Sequence, residues 1–491
     1  MEEIQTSSPC SWQPRRLRRR PRANTTDETN GGAPCTAHQP LQANEAASQG
    51  TVPELPEDAL QHIHSLMTMR DAACVSRRFL FFWRRYPNLA FNQEYISGYR
   101  GKYVFSKAQY VLENHSGVGV KMLKLNLSTC SKKDIDINLL DGWLRAFIKP
   151  GITELAFLHL ASCDFHPTEG PRLLGCSRSL STVCLHNVRI TGDEVGFFLS
   201  SCFALERLDL SKCSMITSLK IPRVLHKLRI VQLHMCQVLQ TVEINALNLS
   251  PFNYNGCPLS SFSLGDSLET KELLMHVVGM PDLIQYVGCN VPSIAPNLEM
   301  LMLSTVNEKL KAPAIFDKFQ HLKHLVICLG KRGEFFKGYD FFSLAHFLDA
   351  CVALETFTLR IQIGCRWYDM QSRVAIMPFR HGGLRSLRKA TITGFCSSKS
   401  LVELTCHILR SAASSLQFIL LDTSRGYDWK HSLTDRCRTM GTMDLQDSER
   451  ALFNIRQYVE PKVPPGVELK VLGPCSRCHS IDAKAMEEAT S

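Results

Sequence analysis

The feature that most constrains this chain is a spaced aliphatic pattern, L-x-x-L-x-L-x-x-C, that returns along most of its length. Leu155, Leu158, Leu160 and Cys163 fit it, as do Leu205, Leu208, Leu210 and Cys213. Leu228, Val231, Leu233 and Cys236 fit with one aliphatic exchange, and Met122, Leu125, Leu127 and Cys130 with another. Leu249, Phe252, Tyr254 and Cys257 fit with aromatics. Copies without the cysteine stand at Leu180, Val183 and Leu185; at Leu239, Val242 and Ile244; and at Leu298, Leu301 and Leu303. Three more follow at Leu322, Leu325 and Ile327; at Leu354, Phe357 and Leu359; and at Leu416, Ile419 and Leu421.

The spacing has a physical cause. Two aliphatic residues two apart point to the same side of a short strand and fill a core. The leucine three residues earlier packs from the incoming turn. The last position is a buried turn, where asparagine or cysteine is small enough to lie against backbone. Several successive copies are 23 to 25 residues apart, as Leu180, Leu205 and Leu228 are, within the period of leucine-rich repeats. Stacking such copies predicts a parallel sheet along a concave face, backed by helices or irregular segments. Toward the C-terminus the spacing loosens to about 30, and Leu384 to Leu421 reads as strand, loop, helix, strand. Residues 424–447 are polar and read as a loop. Leu452, Ile455 and Tyr458 keep helical spacing, and Val467, Leu469 and Val471 form a last strand candidate after Pro464-Pro465-Gly466.

Composition agrees with a chain that buries a core: of 491 residues 44% are hydrophobic and 21% charged. The net charge of +10 is mild for this length and disfavours a dedicated nucleic-acid binder. No run of eighteen apolar residues points to a membrane span, and the start Met1-Glu2-Glu3 lacks the apolar stretch of a secretory signal. The twenty cysteines, mostly alone inside apolar segments, are therefore expected as reduced thiols, five of them at the buried turn of the repeat. The expected location is the nucleus and/or cytoplasm.

Residues 1–50, poor in aliphatics, read as a disordered tail. It holds Arg15, Arg16, Arg18, Arg19, Arg20 and Arg22, a run open to three readings: nuclear-import signal, polyanion-binding arm, or plain solvated stretch. From Leu55 the character changes. Pro56, Glu57 and Asp58 have the form of a helix start, and Leu60, Ile63 and Leu66–Met67 follow on one stripe. Asp71 is placed to cap a second short helix, and Phe79, Phe82 and Trp83 give a third an apolar face. Three short helices with so little core need a partner or a neighbouring domain.

Residues 55–91 resemble an F-box of the plant type, as in the grass F-box/leucine-rich-repeat families. The residues carrying the resemblance are Leu55-Pro56-Glu57-Asp58, Leu60, Ile63-His64-Ser65-Leu66, Met69-Arg70-Asp71-Ala72-Ala73, Cys74-Val75-Ser76-Arg77, Trp83-Arg84 and Tyr86-Pro87-Asn88-Leu89. Leu387, Ile392, Gly394, Phe395, Leu401, Glu403, Leu404 and Leu409 look like the FBD-type segment of such proteins. The resemblance implies an α/β chain: a small N-terminal three-helix F-box followed by a leucine-rich-repeat solenoid with a parallel concave sheet. Its implied organisation is a basic tail (1–50), an F-box-like helical domain (52–91), leucine-rich repeats (118–380), FBD-like repeats with a cap (384–480) and a second tail (481–491). It implies a substrate receptor of an SCF-type ubiquitin ligase, whose partners are the SCF linker protein, the cullin complex and an unknown client protein. Leu55, Pro56, Leu60, Ile63, Leu66, Val75 and Trp83 would then sit at or beneath the linker-docking face. One departure stands out: Asp71 and Val75 are four apart, about three residues fewer than in the family pattern. At about 100° per residue that loss turns the third helix by roughly 60° and removes ~4.5 Å of rise. Either the loop absorbs the change or the F-box is weakened, leaving a binding scaffold without ligase function.

The outward-facing middle residues of the strands, His159, Cys184, Asp209, Gln232, Glu243 and Thr358, are the candidate client contacts. Other chemistry is thin. Cys475-Ser476-Arg477-Cys478-His479 has the spacing of a haem-attachment or half-zinc motif, without the export route or second ligand pair either requires. Arg77 to Phe91 interleaves arginines with aromatics as a single-strand binder would, but at helical spacing that fits a core with a solvated edge. His62 and His64 point to different faces of a helix, and His321 and His324 have no third ligand. Phosphate loops, nucleophile elbows and H-E-x-x-H zinc motifs are missing from the sequence. The expectation is no enzyme, no metal and no cofactor.

Overall fold

The computed structural model describes residues 56, 59, 62–63, 88–91, 115, 120–126, 155–167, 178–265, 269–306, 308–309, 316–330, 339–362, 384–424 and 440–474. Of the expected N-terminal helices, Ala59, His62 and Ile63 are helical. Apart from Pro56, the rest of that segment, the arginine run and Cys475–His479 lie outside the described residues.

The repeats build one parallel sheet. Its strands are β1 (Asn88–Phe91), β2 (Met122–Asn126), β3 (Phe157–Ala161), β4 (Thr182–His186), β5 (Arg207–Ser211), β7 (Ile230–His234), β9 (Phe252–Gly256) and β11 (Glu272–Val277). They continue as β12 (Met300–Val306), β13 (His324–Gly330), β14 (Thr356–Ile361), β15 (Lys389–Thr393), β16 (Phe418–Asp422) and β17 (Glu468–Leu472), side by side in that order. β1 thus lies inside the stretch that resembles an F-box, separated from Trp83 by four residues. The intervening strands in chain order, β6 (Ser218–Ile221), β8 (Thr241–Ile244) and β10 (Ser261–Ser263), form a second parallel sheet.

The template residues sit where their spacing puts them. Leu158, Val183, Leu208 and Val231 occupy one register position of adjacent strands, continued by Phe252, Leu273, Leu301, Leu325 and Phe357, and all are buried. Between them alternate half-buried residues on the other face, as the strand period of two requires. The leading leucine's successor organises the turns through its carbonyl. Ser181 O accepts N–H bonds from Glu206 and Arg207, Glu299 O from Lys323 and His324, and Glu355 O from Arg388 and Lys389. Each incoming turn is thereby tied to the previous repeat through two backbone donors. At the last template position the thiol of Cys213 donates to Leu185 O at 3.6 Å and that of Cys236 to Leu210 O at 3.8 Å. The described cysteines form no disulfide among themselves.

Two copies of the template correct the sequence reading. Leu123 and Leu125, not Leu125 and Leu127, pair with Leu158 and Leu160, so the leading residue of that copy is buried Val120. Met122 is an outward residue of β2 instead. The Leu239, Val242 and Ile244 copy is β8 of the second sheet: after the turn the chain forms a further strand that faces the same core, and it obeys the same spacing. Conversely Thr270 in the incoming turn and Leu273 and Met275 of β11 are all buried, a copy of the repeat that threonine and methionine hid.

Behind the sheet run α1 (Gly192–Leu199), α2 (Leu283–Ile294), α3 (Leu344–Ala350), α4 (Lys399–Ser411) and α5 (Thr442–Asn454). Thr191 and Glu194 cap α1 reciprocally. Gly192 opens that helix where a Cβ would stand 1.8 Å from Ser218 O of β6, so only glycine allows this approach. α4 buries Leu401, Leu404, Ile408 and Leu409 among others. α5 starts inside the stretch read as loop and runs on as a π-helical turn through Val459.

Candidate functional site

The side of the sheet away from the core presents a row of side chains that crosses every strand. From β2 onward its members are Lys124, His159, Cys184, Asp209, Gln232 and Asn253, each directly opposite the next. The row goes on through Leu274, Met302, Val326, Thr358, Thr391, Leu420 and Lys470. Neighbouring strands lie about 4.8 Å apart, so adjacent members of the row can touch one partner together.

Five of the six candidate contacts read from sequence fall on this row. His159, Cys184, Asp209 and Gln232 are consecutive, and Thr358 belongs to it further along. Glu243 does not. It lies on β8 of the second sheet, where its carboxylate accepts from Asn245 Nδ2 at 3.2 Å. The reason is the doubled template described above, which makes a backing strand look like a facing one. The row members missed from sequence include Lys124, Leu274 and Met302. Lys124 was hidden by the shifted copy, Leu274 by the unrecognised copy of β11, and Met302 by its apolar character, which resembles core.

The face is polar at its start. Arg207 Nη2 donates to Gln232 Oε1 at 2.8 Å and lies 3.8 Å from Asp209 Oδ2, so one guanidinium ties three residues on two strands. Lys124 Nζ stands 5.1 Å above the centroid of the Phe157 ring, a cation–π contact. His186 Nδ1 and Ser211 Oγ are 3.2 Å apart. Partial burial, then the charge of Lys124 and the neighbouring His186, holds His159 below the ordinary imidazole range. Burial and Lys212 act the same way on His186. Both rings are therefore neutral near pH 7 and offer one donor and one acceptor each. Burial and the Asp209 carboxylate push the Cys184 thiol up to about 11, which removes thiolate reactivity. This end of the face therefore offers neutral donors and acceptors and a protonated thiol.

One group of residues has the composition of a catalytic relay and lacks its geometry. His407 Nε2 lies 3.1 Å from Asp349 Oδ1 and 3.4 Å from Ser411 Oγ. A relay needs the carboxylate on one ring nitrogen and the hydroxyl on the other. Here both meet the same nitrogen, so the cluster holds α3 and α4 together. Among the described residues no group of three or more His, Cys, Asp and Glu side chains could hold a metal ion. His324 instead meets Thr356 Oγ1 at 2.8 Å. No described helix is long and apolar enough to cross a membrane.

Of the residues expected to dock the linker protein, Pro56 is exposed and Ile63 is helical and 38% exposed. Leu55, Leu60, Leu66, Val75 and Trp83 lie outside the described residues.

The sequence model of a leucine-rich-repeat domain, described as At1g61320/AtMIF1, matches residues 111–158 and 155–476. No curated protein matches the chain.

Proposed function

The chain belongs to the plant leucine-rich-repeat family of the At1g61320/AtMIF1 domain, and from that premise we propose that it is the substrate-recognition adaptor of an SCF-type ubiquitin ligase. The observation that carries the binding role is the unbroken row from Lys124 to Lys470, which offers side chains of varied chemistry on a rigid parallel sheet. The F-box resemblance of residues 55–91 supports the ligase role. Exposed Ile63 is an apolar residue that a partner would cover. Only four residues separate Trp83 from β1, so a docked F-box would be joined to the client face by a short link. In this reading the protein carries no catalytic residue or cofactor and works in the nucleus and/or cytoplasm.

A second reading is a repeat scaffold without ligase function, favoured by the four-residue step from Asp71 to Val75. Co-purification of the full chain with the plant SCF linker protein tests both, beside a variant with three residues inserted between Ala73 and Cys74. Stoichiometric binding of the natural chain is the expected result. Binding of the inserted variant alone selects the scaffold reading with a disabled F-box. Binding of neither removes the ligase.

A further inference from the structure

The outer face changes chemistry along its length, and we propose that it fits an extended protein segment with acidic residues at one end and aliphatic residues at the other. The proposal rests on reading this face as the client-binding surface and specifies what it binds. On the outer rows of β2 to β7 the one carboxylate is Asp209, and Arg207 already lies against it at 3.8 Å. Among the described residues of those rows and their ends, what remains uncompensated is cationic: Lys124, which is exposed, and Lys212, which follows β5. Beside them stand His159 and His186, each held below its ordinary range partly by these lysines. A positive field that disfavours protonation of its own histidines favours an approaching carboxylate by the same Coulomb term.

Further along, the row itself turns apolar for three strands, with Glu272 of β11 and His324 of β13 on the positions beside it. Leu274, Met302 and Val326 follow one another on β11, β12 and β13, half-buried and without a covering element among the described residues. From Lys124 on β2 to Met302 on β12 there are seven strand steps, about 34 Å. An extended chain of about ten residues covers that distance. A nucleic acid fits less well, because its charge is uniform along its length while this row is apolar at Leu274, Met302 and Val326.

The test is fluorescence anisotropy with the full chain and synthetic labelled peptides of about twelve residues. One has Asp and Glu in its first half and Leu and Val in its second. Another has the same composition with the two kinds alternating, others are wholly basic or wholly neutral-aliphatic, and the last probe is a single-stranded oligonucleotide. The expected result is that the block peptide binds about tenfold tighter than the alternating one. Its affinity should fall with added salt, and fall again about tenfold in K124E/K212E and in M302D, each checked for native circular dichroism. Equal affinity for both acidic peptides overturns the proposal, as does tighter binding of the oligonucleotide. Binding of the basic or neutral peptide through the same face, lost in M302D, would overturn this chemistry while leaving the client-face reading intact. Failure of every peptide to bind would remove both.

Discussion

The repeats around β5 to β11 and those around β12 to β16 solve the same return problem differently. In the first region the register advances 23 residues from Leu208 to Val231, then 21 to Phe252 and 21 to Leu273. So short a return has room for one more strand, and β6, β8 and β10 pair into a second sheet across the core. In the second region the step is 32 residues from Leu325 to Phe357 and 29 from Ala390 to Ile419. There the return accommodates α3 and α4. A helix advances about 1.5 Å per residue against about 3.3 Å for a strand, so added residues are absorbed by helix without lengthening the repeat. Return length, set by insertion, decides what covers the core, while the facing strands stay the same.

The two regions differ in how much each core residue supports, and truncation measures it. Phe357 and Leu208 hold the same register position and are both 0% exposed. Phe357→Ala is expected to cost about 4 kcal/mol and Leu208→Ala about 3 kcal/mol, read by chemical denaturation. Because stacked repeats contact mainly their neighbours, native-state hydrogen exchange should lose protection chiefly in the region mutated. Uniform loss across both would show that the sheet unfolds as one unit and erase the distinction.

A second contrast lies at the strand ends. In the long-repeat region Gly394 closes β15 at φ 72°, where a Cβ would stand 2.1 Å from Ile361 O. Gly394→Ala meets both the left-handed backbone and a fixed carbonyl, and should destabilise by about 3 kcal/mol. A thermal midpoint within a degree of the parent would mean that the turn relaxes at no cost.

The facing strands were legible in the sequence because L-x-x-L-x-L reports a physical requirement, two inward side chains and one turn contact. What covers them was less so. The copy at Leu239 comes only 11 residues after that at Leu228, too short for a full repeat, and that interval was the available sign of a second sheet. Without it Glu243 reads as a facing residue. β11 was missed because Thr270 and Met275 fill leucine positions by shape rather than by type. The candidate face was legible as positions, since each is the middle of an L-x-L, but its division into cationic and apolar parts depended on register. Lys124 joins His159 only once β2 is aligned with β3.

A buried acid marks the long-repeat region. Glu308, after β12, is 7% exposed and accepts from the Ile284 N–H of α2 at 3.4 Å. Asp282 provides that helix with no side-chain cap, so Glu308 serves its N-terminus from another repeat. Burial, partly offset by bonds from Thr305 and the helix amides, pushes its carboxyl up to about 8. The fold therefore favours the neutral acid. Its contribution is full below the ordinary carboxyl range near 4.5 and is lost as pH rises from there through about 8. Glu308→Gln does not ionise, so its stability relative to the parent should rise steadily across that window and level off above pH 8. A pH-independent difference would show that Glu308 is charged in the fold.

The smallest expected effect belongs to the short repeats. Ser162, Asn187, Lys212 and Met235 end successive strands with φ between 53° and 57°. Each donates its N–H to the next repeat: Lys212 to His234 O at 2.8 Å and Asn187 to Ser211 O at 2.6 Å. The left-handed turn thus aims a backbone donor at the neighbouring repeat, and four repeats in a row adopt it although none has glycine there. Asparagine tolerates this backbone best among residues with a side chain, and Asn187 already uses it. Lys212→Asn and Met235→Asn should each stabilise by about 0.5 kcal/mol, with the two gains adding in the double variant if neighbouring turns are independent. A double variant gaining more than the sum would mean that successive turns reinforce one another through these bonds. That coupling would be a property of the short repeats, since Gly394 already relieves the same conformation in the long ones.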